Sequence, residues 1–195
     1  MIRLATAHDA KAIAQIYAPI VAGTAISFEL VPPTEAEMAA RVSSTLVYAP
    51  WLVCVRAGEV VGYAYASKHR ERAAYQWCLD VSAYTHERCR RQGVGRALYT
   101  SLFALVRLQG YYAVHAGITL PNAGSVGLHE ALGFRPVGVY RSVGHKLGAW
   151  HDVGWWQLAL RERTGEPAPP LSVADAARSP EWEAALVAGE PLLGR

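Results

Sequence analysis

Cysteine is scarce in this 195-residue chain: Cys54, Cys78 and Cys89 are an odd three, and no two are spaced C-x-x-C. That excludes a disulfide framework and makes a reducing compartment the expected setting. Charge is also low, at 18% Asp, Glu, Lys and Arg against 52% hydrophobic residues, which is not the composition of a disordered chain. Neither sign dominates. Nineteen Lys and Arg against sixteen Asp and Glu leave +3, which suits an anionic ligand but falls short of a nucleic-acid-binding footprint. No apolar run reaches the ~18 residues of a membrane span. The start, Met1-Ile2-Arg3-Leu4, meets His8, Asp9 and Lys11 before a signal-peptide core can form. The expectation is a cytoplasmic protein whose partners include neither membrane nor nucleic acid, built as one domain of ordinary size.

Local patterns order the elements. Residues 2–5 read as a strand, Thr6-Ala7-His8-Asp9 as a variant capping box, and Ala10, Ile13, Ile16, Tyr17 and Ile20 as a helical face that Gly23 ends. Thr34-Glu35-Ala36-Glu37 is a cleaner capping box and opens a second helix to about Tyr48. Trp51–Val55 and Val60–Ser67 flank the turn at Ala57-Gly58-Glu59 as a hairpin, and a third strand is expected over Tyr75–Tyr84. Gly93–Gln109 reads as a helix closed by Gly110, and Tyr112–Ile118 as a strand. A short helix ending at Gly133 and strands at Val137–Lys146 and Val153–Leu160 complete the order β-α-α-β-β-β-α-β-α-β-β. The fold class is α/β of the α+β type, with a domain over 1–161. Residues 162–195, broken by Pro167, Pro169, Pro170 and Pro180, form an appendage with one possible short helix.

The segment Arg90-Arg91-Gln92-Gly93-Val94-Gly95-Arg96 carries the most chemistry. Two glycines at i and i+2 bare successive N–H groups at the start of a helix, where the dipole also favours an anion, and arginines stand beside them. A pyrophosphate fits such a site. No Lys-Ser or Lys-Thr pair follows the glycines, so this is not a P-loop. Leu98 and the element order exclude the dinucleotide fingerprint.

This segment resembles the R/Q-x-x-G-x-G/A signature of the GNAT superfamily of N-acetyltransferases. Pro50-Trp51-Leu52-Val53, Gly62-Tyr63-Ala64-Tyr65-Ala66, Arg72-x-x-Tyr75-x-Trp77, Leu120-Pro121-Asn122, His129-Glu130-Ala131-Leu132-Gly133-Phe134 and Trp150-His151-Asp152-Val153-Gly154 extend the likeness. All are similar to the phosphinothricin and methionine sulfoximine acetyltransferase branch, over roughly residues 2–160. The resemblance implies a mixed, mostly antiparallel twisted sheet flanked by helices. It also implies acetyl-CoA as co-substrate, no metal, a small amino-acid-like acceptor and a homodimer. On it, Ala83, Tyr84 and Thr85 pair with the pantetheine arm as an added strand would. Arg91, Gln92, Gly93, Val94, Gly95 and Arg96 hold the pyrophosphate, and Asn122 meets the coenzyme at the next strand's end.

Two residues are expected to handle protons. Asp80 lies in a largely apolar strand, where an unpaired carboxylate is costly. A raised pKa would let it accept the acceptor's ammonium proton directly or through a water. The resemblance places Glu here more often, and the shorter Asp favours a relay. The alternative is a structural pair with Arg70 or Arg72. His129 stands where many members of the wider superfamily have a Tyr that protonates the departing thiolate. The phosphinothricin branch has His here, as this chain does, and an imidazole can donate that proton at neutral pH. It could instead aid deprotonation of the amine, cap a helix or fill the core.

Lys68, Arg70 and Arg72 follow period-two spacing, which on an extended chain puts all three on one face. Arginine suits a carboxylate, and the resemblance sets Arg72 and Tyr75 near the amino-acid acceptor, with Arg70 beside them. Trp150-His151-Asp152 reads as pocket wall or dimer surface. Trp155-Trp156 reads as one side chain turned inward and one outward, the outward one adding to an apolar patch. Two other readings stay open: an acetyltransferase of the same fold acting on another amine such as a protein N-terminus, and a non-catalytic acetyl-CoA sensor. The three bases against Glu71 in 68–72 disfavour polyamines and aminoglycosides.

Overall fold

Seven strands form a single sheet: β1 (Ile2–Leu4), β2 (Trp51–Arg56), β3 (Glu59–Lys68), β4 (Cys78–Thr85), β5 (Ala113–Leu120), β6 (Arg135–Lys146) and β7 (Ala149–Ala159). They run β1-β2-β3-β4-β5-β7-β6 across it, in a computed structural model that describes residues 1–194. Every neighbouring pair is antiparallel except β4–β5. Parallel neighbours need a crossover, and α3 (Val94–Leu108) supplies it.

The helices follow from their faces. Val94, Ala97, Leu98, Ser101, Leu102, Leu105 and Val106 of α3 recur at three- and four-residue steps and are buried against the sheet. On the other face, α1 (Ala10–Gly23) and α2 (Glu35–Thr45) enclose a second core with Trp51, Val53 and Tyr63. The capping boxes form as expected. Thr34 Oγ1 accepts the Glu37 amide at 3.2 Å while the Glu37 carboxylate accepts the Thr34 N–H at 2.7 Å. Asp9 accepts the Thr6 N–H at 2.8 Å and also forms a two-pronged pair with Arg3. That pairing holds the Asp9 carboxyl below the usual carboxylate range.

Two boundaries differ from expectation. The strand anticipated over Tyr75–Tyr84 begins only at Cys78, because Ala73–Tyr75 closes into a 3-10 turn. The stretch expected to be extended through Arg72 leaves β3 at Lys68 and bends, so period-two spacing does not set the directions of Arg70 and Arg72.

The Pro-rich tail is docked. After an irregular stretch, α5 (Val173–Ala176) and α6 (Trp182–Val187) bury Val173, Ala176 and Trp182 against the α3 side. Buried polar groups anchor the chain. The Gln109 side chain donates to the Tyr48 and Leu171 carbonyls at 2.8 Å each, and the Gly189 amide donates to Ser101 Oγ at 3.0 Å. Glu190 accepts the Ile2 amide at 2.5 Å, which ties the tail to the first strand.

A Cβ built on Gly189 would run into the Ala97 carbonyl of α3. Gly189→Ala is therefore expected to push α6 off α3 and destabilise the protein by about 1–3 kcal/mol, the usual range for overpacking. Chemical denaturation of the purified variant checks this, and an unchanged midpoint would show that the tail gives way freely.

Candidate active site

The β4–β5 pairing lasts for three residues, Cys78–Asp80 against Ala113–His115. Beyond it the strands run on to Thr85 and Leu120 without pairing to each other. Their facing backbone groups open a cleft bounded by Val81, Ser82, Ala83, Gly117 and Ile118, where the N–H and C=O groups that do not pair between the two strands are free to pair with a ligand. An extended polar arm can serve as that ligand. The cleft widens into a groove of about 570 Å³ that runs to the start of α3.

That groove gathers Ala83, Tyr84, Thr85, Arg91, Gly93, Val94, Gly95, Arg96 and Asn122, nine of the ten residues expected at the coenzyme. Gly93 (φ +80°) caps α3, and Arg91 (φ +59°) is also left-handed, an arrangement that turns successive amides toward one point. Glycine is required at 93 twice over, since a Cβ there would also lie 2.7 Å from the Leu192 carbonyl of the tail. Gln92 is the exception. Its side chain turns away to donate to the Arg88 carbonyl at 2.8 Å and accept from Arg56 at 2.9 Å, so it braces the loop from behind. Arg56 also donates to the Leu193 carbonyl at 2.8 Å, joining loop and tail.

Asn122 accepts the Ser125 amide at 3.1 Å as the N-cap of α4 (Ala123–Ala131), while also facing the groove. From the same helix His129 reaches the wall where cleft and groove meet. Its Nδ1–H donates to the Ser125 carbonyl at 2.8 Å, leaving Nε2 to accept the Tyr99 hydroxyl at 3.2 Å. Burial pushes its pKa down, so the ring stands neutral at pH 7. A neutral ring must take up a proton before it can act as an acid.

Asp80 lies on the last paired rung of β4 and β5, opposite His115. Burial pushes its carboxyl pKa up, opposed by a 2.6 Å hydrogen bond from His69 Nδ1. The partner is thus a histidine and neither Arg70 nor Arg72. His69 stacks on His115 with ring centroids 4.3 Å apart and planes 18° from parallel, and it meets the face or edge of Trp155 and Tyr75 at 6.0 Å. Burial and the neighbouring His69 lower the His115 pKa to about 4. The donor atoms of His69, Asp80 and His115 lie within 4.8 Å of one another. Stacked rings, however, send their lone pairs side by side, and one His69 nitrogen is committed to Asp80. The three groups thus form a hydrogen-bonded and stacked cluster at the end of the β4–β5 pairing.

Arg70, Arg72 and Tyr75 come together around a second cavity of about 260 Å³, which shares no lining residue with the coenzyme groove. The two spaces are linked through His69. Tyr75 meets its ring, and the Arg70 guanidinium lies 5.9 Å over Trp155, which itself packs on Gly117 of the cleft. Trp155 thus walls the site and does not add to an outer patch, while Trp156 is the inward side chain, its indole N–H donating to Glu130 at 3.2 Å. Asp152 accepts from Arg141 and the Ser142 amide, fixing the β6–β7 hairpin.

Sequence reading missed two further parts. Ile26, in the loop after α1, lines both cleft and groove. Lys146 holds that loop: its buried ammonium donates to the Val21 and Ser27 carbonyls at 2.6 and 2.7 Å. Neither residue has a local motif, because the pairing spans more than a hundred positions.

Gly95 tests the anion cradle. A Cβ there meets nothing closer than 3.4 Å, so Gly95→Ala fits and serves as control. Gly95→Asp adds a carboxylate where the pyrophosphate is expected, and calorimetry with coenzyme A should show affinity falling well over tenfold (about 1.4 kcal/mol per decade).

The family profile described as an acetyltransferase (GNAT) domain matches residues 2–155. A phosphinothricin N-acetyltransferase from Streptomyces viridochromogenes is 40% identical over 172 residues, covering 88% of this chain and 92% of that protein. An L-methionine sulfoximine/L-methionine sulfone acetyltransferase from Salmonella typhimurium is 33% identical, covering 86% of this chain and 98% of its own length. Among solved structures, a GNAT superfamily phosphinothricin acetyltransferase from Sinorhizobium meliloti in complex with acetyl-CoA superposes with a TM-score of 0.82 at 36% identity. That alignment covers 86% of this chain and 92% of the other. A likeness that runs from β1 into β7 embraces the whole sheet and not the glycine loop alone, and the chain therefore belongs to the GNAT family of acetyl-CoA-dependent N-acetyltransferases.

Proposed function

We propose that this enzyme acetylates the primary amine of a small amino acid or analogue of the phosphinothricin, methionine sulfoximine or methionine sulfone type. The observation that carries the reading is Asp80, a half-buried carboxylate with a raised pKa at the vertex of the parted strands, next to a basic cavity. Bound acetyl-CoA supplies the acetyl thioester. The residues around the parted strands do the rest. The Gly93 loop and the start of α3 hold the pyrophosphate, and Ala83, Tyr84 and Thr85 offer backbone partners to the pantetheine arm. A β4 amide in the cleft also polarises the thioester carbonyl.

Asp80 draws the proton from the acceptor's ammonium group, directly or through a relay, and frees the lone pair for attack. Arg70 and Arg72 anchor the acceptor's carboxylate, with Tyr75 between them and the Asp80 pair. His129 assists on the sulfur side; being neutral, it contributes less than Asp80. The basic cavity favours a free amino acid over a cationic amine, and a catalytic carboxylate at the vertex argues against a pure acetyl-CoA sensor. Three free cysteines fit a cytoplasmic setting; among the described residues no helix is long and apolar enough to cross a membrane.

The exposed apolar side chains Val137, Val139, Val143, Leu147 and Trp150 of the β6–β7 hairpin are, in this reading, covered by a second copy of the chain. Sedimentation equilibrium should then give twice the 21.2 kDa of the chain; a monomer at micromolar concentration refutes the dimer.

Asp80→Asn keeps the shape and removes the basicity, so kcat should drop by about 10²–10⁴ while acetyl-CoA still binds. In the wild type, kcat/KM should rise with pH along an acidic limb, since a base with a raised pKa works only once deprotonated. Acceptors of different amine pKa assign that limb: one that follows the acceptor belongs to the amine. Amidating the acceptor's carboxylate, or Arg72→Ala, should chiefly raise KM. Equal turnover of amide and acid would remove the arginine anchor from this scheme.

A further inference from the structure

We infer that His69, and not Asp80 itself, receives the acceptor's ammonium proton, at Nε2, while Asp80 orients the ring. The inference deepens the N-acetyltransferase reading and rests on it, with His69 taking over from Asp80 as the group that accepts the proton. Asp80 Oδ1 takes the His69 Nδ1 hydrogen bond at 2.6 Å. A carboxylate oxygen accepts, so Nδ1 carries the hydrogen and the free lone pair of the neutral ring lies on Nε2. This is the geometry in which a buried carboxylate fixes the tautomer of an imidazole base.

Three rings pack on the imidazole while part of it stays open to solvent. His115 stacks beneath it from β5, Trp155 meets it from β7 and Tyr75 from the turn before β4. His69 is also the more enclosed of the pair, its side chain 15% exposed against 27% for Asp80. The titratable and charged groups that face it are Asp80 on β4, His115 on β5, and Arg70 and Tyr75 on the connecting segment. Arg163, beyond β7, also acts on His115. His115 stays neutral through the working pH range, so a proton gained on His69 meets the Asp80 carboxylate on one side and an uncharged ring on the other.

The step balances without a further reagent. An N–H bond of the acceptor's ammonium breaks as Nε2–H forms, giving an imidazolium paired with Asp80. The freed nitrogen lone pair then makes the N–C bond to the acetyl carbonyl carbon, and the C–S pair leaves on sulfur. Loss of the second amine proton to solvent yields the amide, and the His69 proton passes to bulk water before the next turnover.

Three readings test this on the intact protein. Nitrogen-15 NMR of the imidazoles in the free enzyme should show His69 as the Nδ1–H tautomer in the wild type and a shift toward Nε2–H in Asp80→Asn. His69→Gln and His69→Ala should keep coenzyme A affinity while losing ten- to a hundredfold or more in kcat with a saturating acceptor. Added imidazoles should restore His69→Ala, with rescue rising with the pKa of the added base, which a packing role would not produce. If His69→Gln keeps wild-type kcat and the acidic limb while Asp80→Asn is impaired, the proton goes to Asp80 and the inference falls, leaving the N-acetyltransferase reading intact. If the wild type acetylates no amino acid or analogue, that reading fails first. An Nε2–H tautomer in the wild type overturns the His69 assignment on its own.

Discussion

The parting of β4 from β5 is the constraint on which the site depends. Only three rungs join these strands, and past Asp80 and His115 each runs on with one row of backbone groups unpaired by the other. The backbone groups along such a gap are available to an extended ligand that pairs as a strand would. The gap is bounded at its closed end by the His69–Asp80 pair and at its open end by the start of α3. In the proposed reading, the opening sets the two ends of a bound coenzyme, one at the amides of the Gly93 loop and one at the His69–Asp80 pair. Because β4 and β5 are parallel, the crossover helix between them must begin where β4 ends, and the positive end of its dipole therefore lies at the mouth of the groove.

The tail adds a second layer of control over this geometry. The Leu192 carbonyl sits where a Cβ of residue 93 would be, and Arg56 bridges the Gln92 side chain to the Leu193 carbonyl. The left-handed turn at Arg91 and Gly93 is strained for an ordinary residue, and strain of this kind persists where surrounding contacts over-determine it. Here those contacts come from the last residues of the chain.

Local chemistry was legible in the sequence wherever the determinants sit within one turn of chain. The Thr34 capping box, the glycine pair at 93 and 95 and the face of α3 all formed where spacing placed them. Asp80 stood out because a carboxylate in an apolar strand demands an explanation. What it pairs with was hidden, since His69 reaches it across the 3-10 turn that displaced the start of β4. The bend after Lys68, where β3 ends, voided the extended-chain argument for Arg70 and Arg72, although both still meet Tyr75 around one cavity. Gln92 shows the converse limit. Its motif position is right, but whether a loop side chain faces the ligand or the scaffold is decided by a distant arginine. Docking of the tail and the grip of Lys146 on the loop after α1 are likewise long-range facts with no local signature.

The parted strands are the centre of this account, and amide hydrogen exchange with and without acetyl-CoA examines them most directly. Binding should slow exchange in 81–85 and in the loop at 91–96, while the paired rungs at 78–80 and 113–115 change little. Protection confined to other elements, or none at 81–85 under saturating acetyl-CoA, would contradict the claim that the open strand edge seats the coenzyme.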